Sequence, residues 1–121
     1  MTGELMKMGK LKKEYRCVLD LAHDIIGGKW KLRILWNIER GNNRFSMLER
    51  AIPEITQKML MSQLRDLEDK GLIKRKIIED NPPKIILYEI DESNTGIREM
   101  VQATCFFSRN YADRNGIDIK D

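Results

Sequence analysis

Residues 46–91 carry an arrangement that few folds accommodate. A short segment opened by Ser46-Met47-Leu48-Glu49 must stop before Pro53, because proline removes the amide that a continuing helix needs. Pro53-Glu54-Ile55 intervenes, and Thr56 then begins a longer run that reaches Lys70 and closes at Gly71. Within that run Leu60, Leu64 and Leu67 recur at i, i+4 and i+7, the spacing of a single helix face. Ser46 with Glu49 matches a capping box, and Thr56 reads as an N-cap. Two helices joined by a turn of about three or four residues, the second of them longer, form a helix-turn-helix.

The residues that follow narrow the choice. Residues 72–79 and 85–91 are rich in isoleucine and read as strands. Asp80-Asn81-Pro82-Pro83-Lys84 between them has no helical option, so the pair is a hairpin. A helix-turn-helix followed by a hairpin is a winged helix, an α+β class that is mostly α, with a two-stranded wing. Upstream, residues 17–26 place Val18, Leu21, Ala22 and Ile25 at helical spacing before Gly27-Gly28. Residues 29–40 repeat the pattern with Trp30, Ile34, Leu35 and Ile38. A last helix is expected over 93–114, with Ile97, Met100, Val101, Thr104, Phe107 and Tyr111 along one face. A long apolar stripe at the end of so small a domain needs a partner, either the domain itself or a second copy.

The 121 residues are enough for one core and too few for two domains. The chain divides into a flexible basic arm over 1–16, a domain over 17–114 and a short tail over 115–121. At 41% hydrophobic and 34% charged it is too apolar for a disordered chain and too charged for a membrane protein. No apolar run reaches the ~18 residues of a membrane helix, and the charged N-terminus has no signal-peptide pattern, so a cytoplasmic protein is expected. Two cysteines are too few for a disulfide scaffold. One histidine, His23, offers little to a metal site or a catalytic triad, so no enzyme and no cofactor are expected.

The net charge of +3 is unevenly spread. Residues 29–44 hold five Lys/Arg against Glu39, and residues 56–76 hold six against three acidic residues, ending in Lys74-Arg75-Lys76. From 89 onward seven acidic residues face four basic ones. A basic first two-thirds and an acidic end suggest one surface for a polyanion and another for something else.

Several runs in order resemble one family. Ile26-Gly27-Gly28-Lys29-Trp30, Arg44-Phe45, Ile52-Pro53, Thr56-Gln57-Lys58-Met59-Leu60, Leu64-Arg65-Asp66-Leu67-Glu68, Gly71-Leu72-Ile73 and Pro82-Pro83-Lys84 are similar to the HxlR family of bacterial and archaeal transcriptional regulators, relatives of MarR-type winged helices. The resemblance covers roughly residues 17–110. It implies a homodimer on a roughly palindromic operator, with N- and C-terminal helices forming the dimer interface. The chain departs from the family in having Cys17-Val18 where Cys-Pro is usual, and a longer Glu92-Ser93-Asn94-Thr95-Gly96 after the wing.

If the leucines of the long helix face the core, the opposite stripe is Lys58, Ser62, Arg65 and Asp69, with Met61 on its flank. Hydrogen-bonding side chains in the first turns are what a helix in the major groove needs to reach base edges. Thr56, Gln57, Lys58, Ser62 and Gln63 supply them, with Gln57 suited to adenine and Lys58 or Arg65 to guanine or phosphate. Pro82, Pro83 and Lys84 would form a wing tip against the sugar-phosphate backbone or a minor groove. Lys29, Lys31 and Arg33 would either add phosphate contacts or form an ordinary solvated face. Double-stranded DNA and a second copy of the chain are therefore the expected partners, with Met100, Phe106 or Phe107, and Tyr111 in the dimer interface. No small-molecule effector pocket is legible. Cys17, behind the basic cluster Lys12-Lys13-Glu14-Tyr15-Arg16, is the candidate redox sensor, since nearby positive charge favours a thiolate and some HxlR-like regulators carry a sensing cysteine at this point. The competing reading is a winged helix used for protein contacts, which would more often expose an apolar patch on the long helix.

Overall fold

The leucines that set the period of the long central helix meet at the centre of the molecule, where Leu60, Leu64 and Leu67 are buried against Ile34, Leu35, Leu48, Ile52 and Ile73. The structure, a computed structural model, describes residues 10–120. The expectations for residues 1–9 of the basic arm and for Asp121 lie outside the described residues. In chain order the elements are α1 (Val18–Ile26), α2 (Lys31–Glu39), α3 (Phe45–Ala51), α4 (Gln57–Asp69), β1 (Ile73–Glu79), β2 (Ile85–Ile90) and α5 (Ile97–Arg114). This is the winged helix-turn-helix with an added C-terminal helix that the sequence pattern implies.

Helix α4 begins and ends where its chemistry dictates. The Thr56 hydroxyl accepts from the Met59 amide at 3.0 Å, satisfying one orphan donor of the first turn. At the other end Gly71 adopts φ +81, a left-handed conformation that disfavours a Cβ. The Leu72 amide then donates to the Leu67 carbonyl (2.9 Å) and the Gly71 amide to the Glu68 carbonyl (3.0 Å), a Schellman ending that turns the chain directly into β1.

The short helix departs from expectation. Arg44 is its N-cap, in extended conformation and without a side-chain capping bond, and the Leu48 amide already donates to the Arg44 carbonyl at 2.9 Å. Ser46 therefore lies inside α3, and the Ser46–Glu49 capping box does not form. The Phe45 side chain, packed on the core, draws the helix start forward.

The wing is an antiparallel pair in which Ile73 faces Ile90, Arg75 faces Tyr88 and Ile77 faces Ile86, with an irregularity between Ile77 and Glu79. Its base is buried and its tip exposed. The Tyr88 amide donates to the Asn43 carbonyl at 2.8 Å, which ties the loop between α2 and α3 to the free edge of β2.

The last helix starts at Ile97, four residues later than the expected Ser93. Ser93 donates through its amide (3.0 Å) and hydroxyl (2.7 Å) to the Asp91 carboxylate, and this local turn competes with a helix start. The same bonds hold the Asp91 pKa below its ordinary value. Asn94 donates to the Gly71 carbonyl, and Gly96 takes φ +93 immediately before the helix. Along α5, Ile97, Val101 and Ala112 are buried and Met100 and Cys105 pack on the core.

Leu64 has 1% of its surface exposed, so Leu64→Ala opens a void at the meeting point of α2, α3 and α4. We expect it to lower unfolding free energy by about 2–5 kcal/mol in urea titration.

Candidate nucleic-acid interface

On the side of α4 away from the leucines, Gln57, Lys58 and Arg65 are exposed, together with Asp69. Thr56 is exposed at the helix start while its hydroxyl caps the helix. Met61 and Ser62 are half-buried on the flank. The structure thus brings Gln57 and Lys58 of the first turn and Arg65, two turns further on, onto one solvent-facing stripe of a helix whose opposite face is anchored in the core.

Between this stripe and the wing lies a groove of about 400 Å³ whose lining includes Met61, Arg65, Glu68, Arg75 and Tyr88. In the sequence Arg75 is indistinguishable from its neighbours in the basic run Lys74-Arg75-Lys76. Strand alternation gives it a distinct place: it shares a face with its cross-strand partner Tyr88, so it turns toward α4. Lys76 points the other way and pairs with Glu89 at 3.1 Å. Two guanidinium groups, Arg65 and Arg75, consequently face the same groove from different elements. At the wing tip Pro82, Pro83 and Lys84 are exposed, with the Lys84 ammonium 3.6 Å from Asp80.

Gln63, expected on the exposed stripe, is instead buried. Its amide oxygen accepts from the Lys31 ammonium at 2.9 Å and its nitrogen approaches the Met59 sulfur at 3.5 Å. Lys31, expected to reach phosphate, is buried with it and pairs with Asp66 at 3.0 Å. Lys70 closes the cluster at 2.9 Å from the same Asp66 oxygen and donates to the Asp24 carbonyl of α1 at 3.1 Å. The physical reason is rotation. Gln63 and Asp66 flank the leucine stripe, where the α2 backbone brings a cation close enough to satisfy them. Arg33 likewise turns to Glu54 at 3.0 Å; the Glu54 backbone amide first, and Arg33 after it, hold that carboxylate below its ordinary pKa.

The two terminal helices leave large apolar side chains open to solvent. Phe106, Phe107 and Tyr111 of α5 are 72%, 66% and 54% exposed, and Val18 and Leu19 of α1 are 77% and 72% exposed. Phe107 and Tyr111 stack at 6.1 Å between ring centres. Met100, placed with them by periodicity, is half-buried: it packs partly on its own core and lines a cavity with Ile25 and Ile26. Cys105 is half-buried, in a largely apolar cavity of about 200 Å³ between α2 and α5. Cys17 is exposed and is the N-cap of α1, its sulfur accepting from the Leu19 amide at 3.4 Å.

Among the described residues no group of three or more His, Cys, Asp or Glu side chains could hold a metal ion, and no helix is long and apolar enough to cross a membrane.

Residues 25–116 match the family described as HxlR-like helix-turn-helix. The HTH-type transcriptional regulator YtcD of Bacillus subtilis is 39% identical over 103 residues, covering 85% of this chain and 81% of that protein. A crystal structure of an HTH-type regulator named YtcD superposes with a TM-score of 0.73 at 34% identity, over 80% of this chain and 98% of that one. The redox regulator HypR in its reduced form superposes with a TM-score of 0.69 at 31% identity, over 82% of this chain and 93% of the other.

Gln57 and Gln63 lie six residues apart on one helix yet have opposite duties. Gln63→Ala leaves the buried Lys31 ammonium one acceptor short and is expected to cost about 1–3 kcal/mol of stability. Gln57→Ala, on the exposed stripe, is expected to stay within about 0.5 kcal/mol of the parent. Thermal or urea unfolding of the two variants separates them.

Proposed function

Because the chain belongs to the HxlR-like helix-turn-helix family, we propose that this DNA-binding transcriptional regulator acts as a homodimer on a roughly palindromic operator and reads its sequence with α4. The observation that carries this reading is the exposed stripe of Gln57, Lys58 and Arg65 along a helix whose other face is locked by Leu60, Leu64 and Leu67. A helix so held offers amide and cationic groups to base edges in the major groove, while its N-terminal amides favour a phosphate. Arg75, across the groove from Arg65, and Lys84 at the wing tip are assigned to the DNA backbone. Thr56, Met61 and Ser62 complete the contact surface, with Pro82 and Pro83 shaping the tip. Gln63 is not part of it.

The dimer assignment rests on the exposed apolar residues of the two terminal helices. Five large hydrophobic side chains, Val18, Leu19, Phe106, Phe107 and Tyr111, face solvent in the single chain. A symmetric interface between two copies is the commonest way to cover such a surface. The protein is expected to sediment at twice 14.2 kDa at micromolar concentration. Duplexes selected by it from a randomised pool are expected to carry half-sites ~34–36 Å apart. On such a duplex Lys58→Ala or Arg65→Ala should cost ~1–3 kcal/mol with relaxed specificity at one position, whereas Arg75→Ala should weaken all sequences alike and reduce the salt slope by about one. Unchanged affinity in a folded Gln57/Lys58/Arg65 triple-alanine variant would falsify the assignment of α4.

We also assign Cys17 as a redox sensor. It is exposed, it caps α1 beside the proposed dimer surface, and a protein of the same fold is a redox regulator by name. Oxidation of the thiol by peroxide to a sulfenic acid, with the peroxide reduced to water, places a polar oxygen at the helix cap. Mild peroxide is expected to change duplex affinity in the parent and leave Cys17→Ser unaffected. An equal response in both proteins returns Cys17 to an ordinary cap.

A further inference from the structure

A continuous series of hydrogen bonds and ion pairs runs from the N-terminal segment to α4. The Tyr15 hydroxyl donates to the Asp24 carboxylate at 2.7 Å and accepts from the Lys12 amide at 3.0 Å. The Asp24 carbonyl accepts from the Lys70 ammonium at 3.1 Å. Lys70 pairs with Asp66 at 2.9 Å, Asp66 with Lys31 at 3.0 Å, and Lys31 donates to Gln63 at 2.9 Å. The inner members are removed from water: the Lys31, Lys70 and Asp66 side chains are 5%, 7% and 10% exposed. The outer member, Tyr15, is only part-buried and lies two residues before Cys17.

We propose that this series is a positioning relay, through which the placement of residues 12–17 sets the orientation of α4 and hence its fit to DNA. The proposal rests on the reading of α4 as the recognition helix.

Three properties make the series a relay rather than a set of separate contacts. First, Asp66 is shared: one carboxylate oxygen meets lysines from α2 and from the end of α4, so neither cation can shift without disturbing the other. Second, the bonds cross elements far apart in sequence. Lys70 reaches α1 across 46 residues and Lys31 reaches α4 across 32, so the cluster fixes α1, α2 and α4 against one another. An apolar interface resists separation but tolerates small rotations, whereas charge-assisted bonds are directional. Third, the outer end is the least buried. Asp24 is tied on its backbone to Lys70 and on its side chain to Tyr15, so losing the Tyr15 bond frees the C-terminal turn of α1 to move, and with it the acceptor of Lys70. The Lys12 amide lowers the Tyr15 pKa, but acceptance by Asp24, burial and the Asp24 charge hold it above its ordinary value. Lys31, Gln63, Asp66 and Lys70 act through α4 and are positioning residues; none needs to touch DNA.

Tyr15→Phe removes only the outer oxygen and leaves the core intact. Hydrogen exchange of the free full-length protein is the first measurement. The relay predicts faster exchange in α4 with β2 unchanged, whereas general destabilisation raises both. The second is affinity for a duplex selected by the parent protein from a randomised pool. Tyr15→Phe is expected to weaken it by about twofold or more, with the salt slope unchanged, and to be non-additive with Gln63→Leu although the two side chains do not touch. If Gln63→Leu does not fold, Tyr15→Phe alone decides. Unchanged α4 exchange, or an equal rise in β2, overturns the relay. A parent protein that selects no duplex overturns the DNA reading, and α4 exchange then decides whether the relay stands without it.

Discussion

Asp66 is the constraint on which the arrangement of helices turns. A carboxylate inside an apolar core is tolerated only when paired, since the desolvation of a lone charge costs several kcal/mol. Its partners come from two places, Lys31 at the start of α2 and Lys70 at the end of α4 itself. Satisfying both requires α2 to cross α4 at the level of Asp66, with α1 near enough for Lys70 to reach the Asp24 carbonyl. Hydrophobic burial supplies most of the stability here, as it does in other small domains. The polar cluster adds direction: of the packings that would bury Leu60, Leu64 and Leu67, it excludes those that leave a charge unpaired.

With α4 held in this way, its two faces become separable problems. The inner face is occupied by leucine and the outer face is free to carry amide and cationic groups without any consequence for the fold. The wing follows from the same geometry. The Schellman ending at Gly71 delivers the chain into β1, and alternation along β1 sends Arg75 toward α4 and Lys76 toward Glu89. A basic run that looks uniform in sequence is divided between a groove and an ion pair.

The terminal helices are built differently from the centre. No residue of α1 is fully buried, and α5 places only Ile97, Val101 and Ala112 in the core. Ile25, Ile26, Met100 and Cys105 pack partly on that core, while Val18, Leu19, Phe106, Phe107 and Tyr111 stay largely exposed in the single chain. In a dimer, assembly and folding would then be coupled, because covering these side chains adds burial that the isolated chain lacks. The position of Cys17 at the start of α1, with Tyr15 two residues away, places the proposed chemistry of the thiol at the cap of a helix with no fully buried residue.

Periodicity and local punctuation settled the elements. The leucine spacing, the Thr56 cap, Gly71 and the proline turn are all local features, and local sequence is enough to specify a helix, its ends or a hairpin. Local signals also misled where a competing contact outweighed them. Ser46 and Glu49 have capping-box spacing, but burial of Phe45 starts α3 earlier; residues 93–96 would extend α5, but the bonds of Ser93 to Asp91 and of Asn94 to Gly71 hold them in a turn. The fates of Gln63, Lys31 and Met100 were decided only in three dimensions. Helical spacing gives the direction of a side chain around its own axis; whether a polar residue at the margin of that face meets water or a buried partner depends on what another helix presents there. For Gln63 that partner is a lysine 32 residues away, and no pattern within α4 contains it.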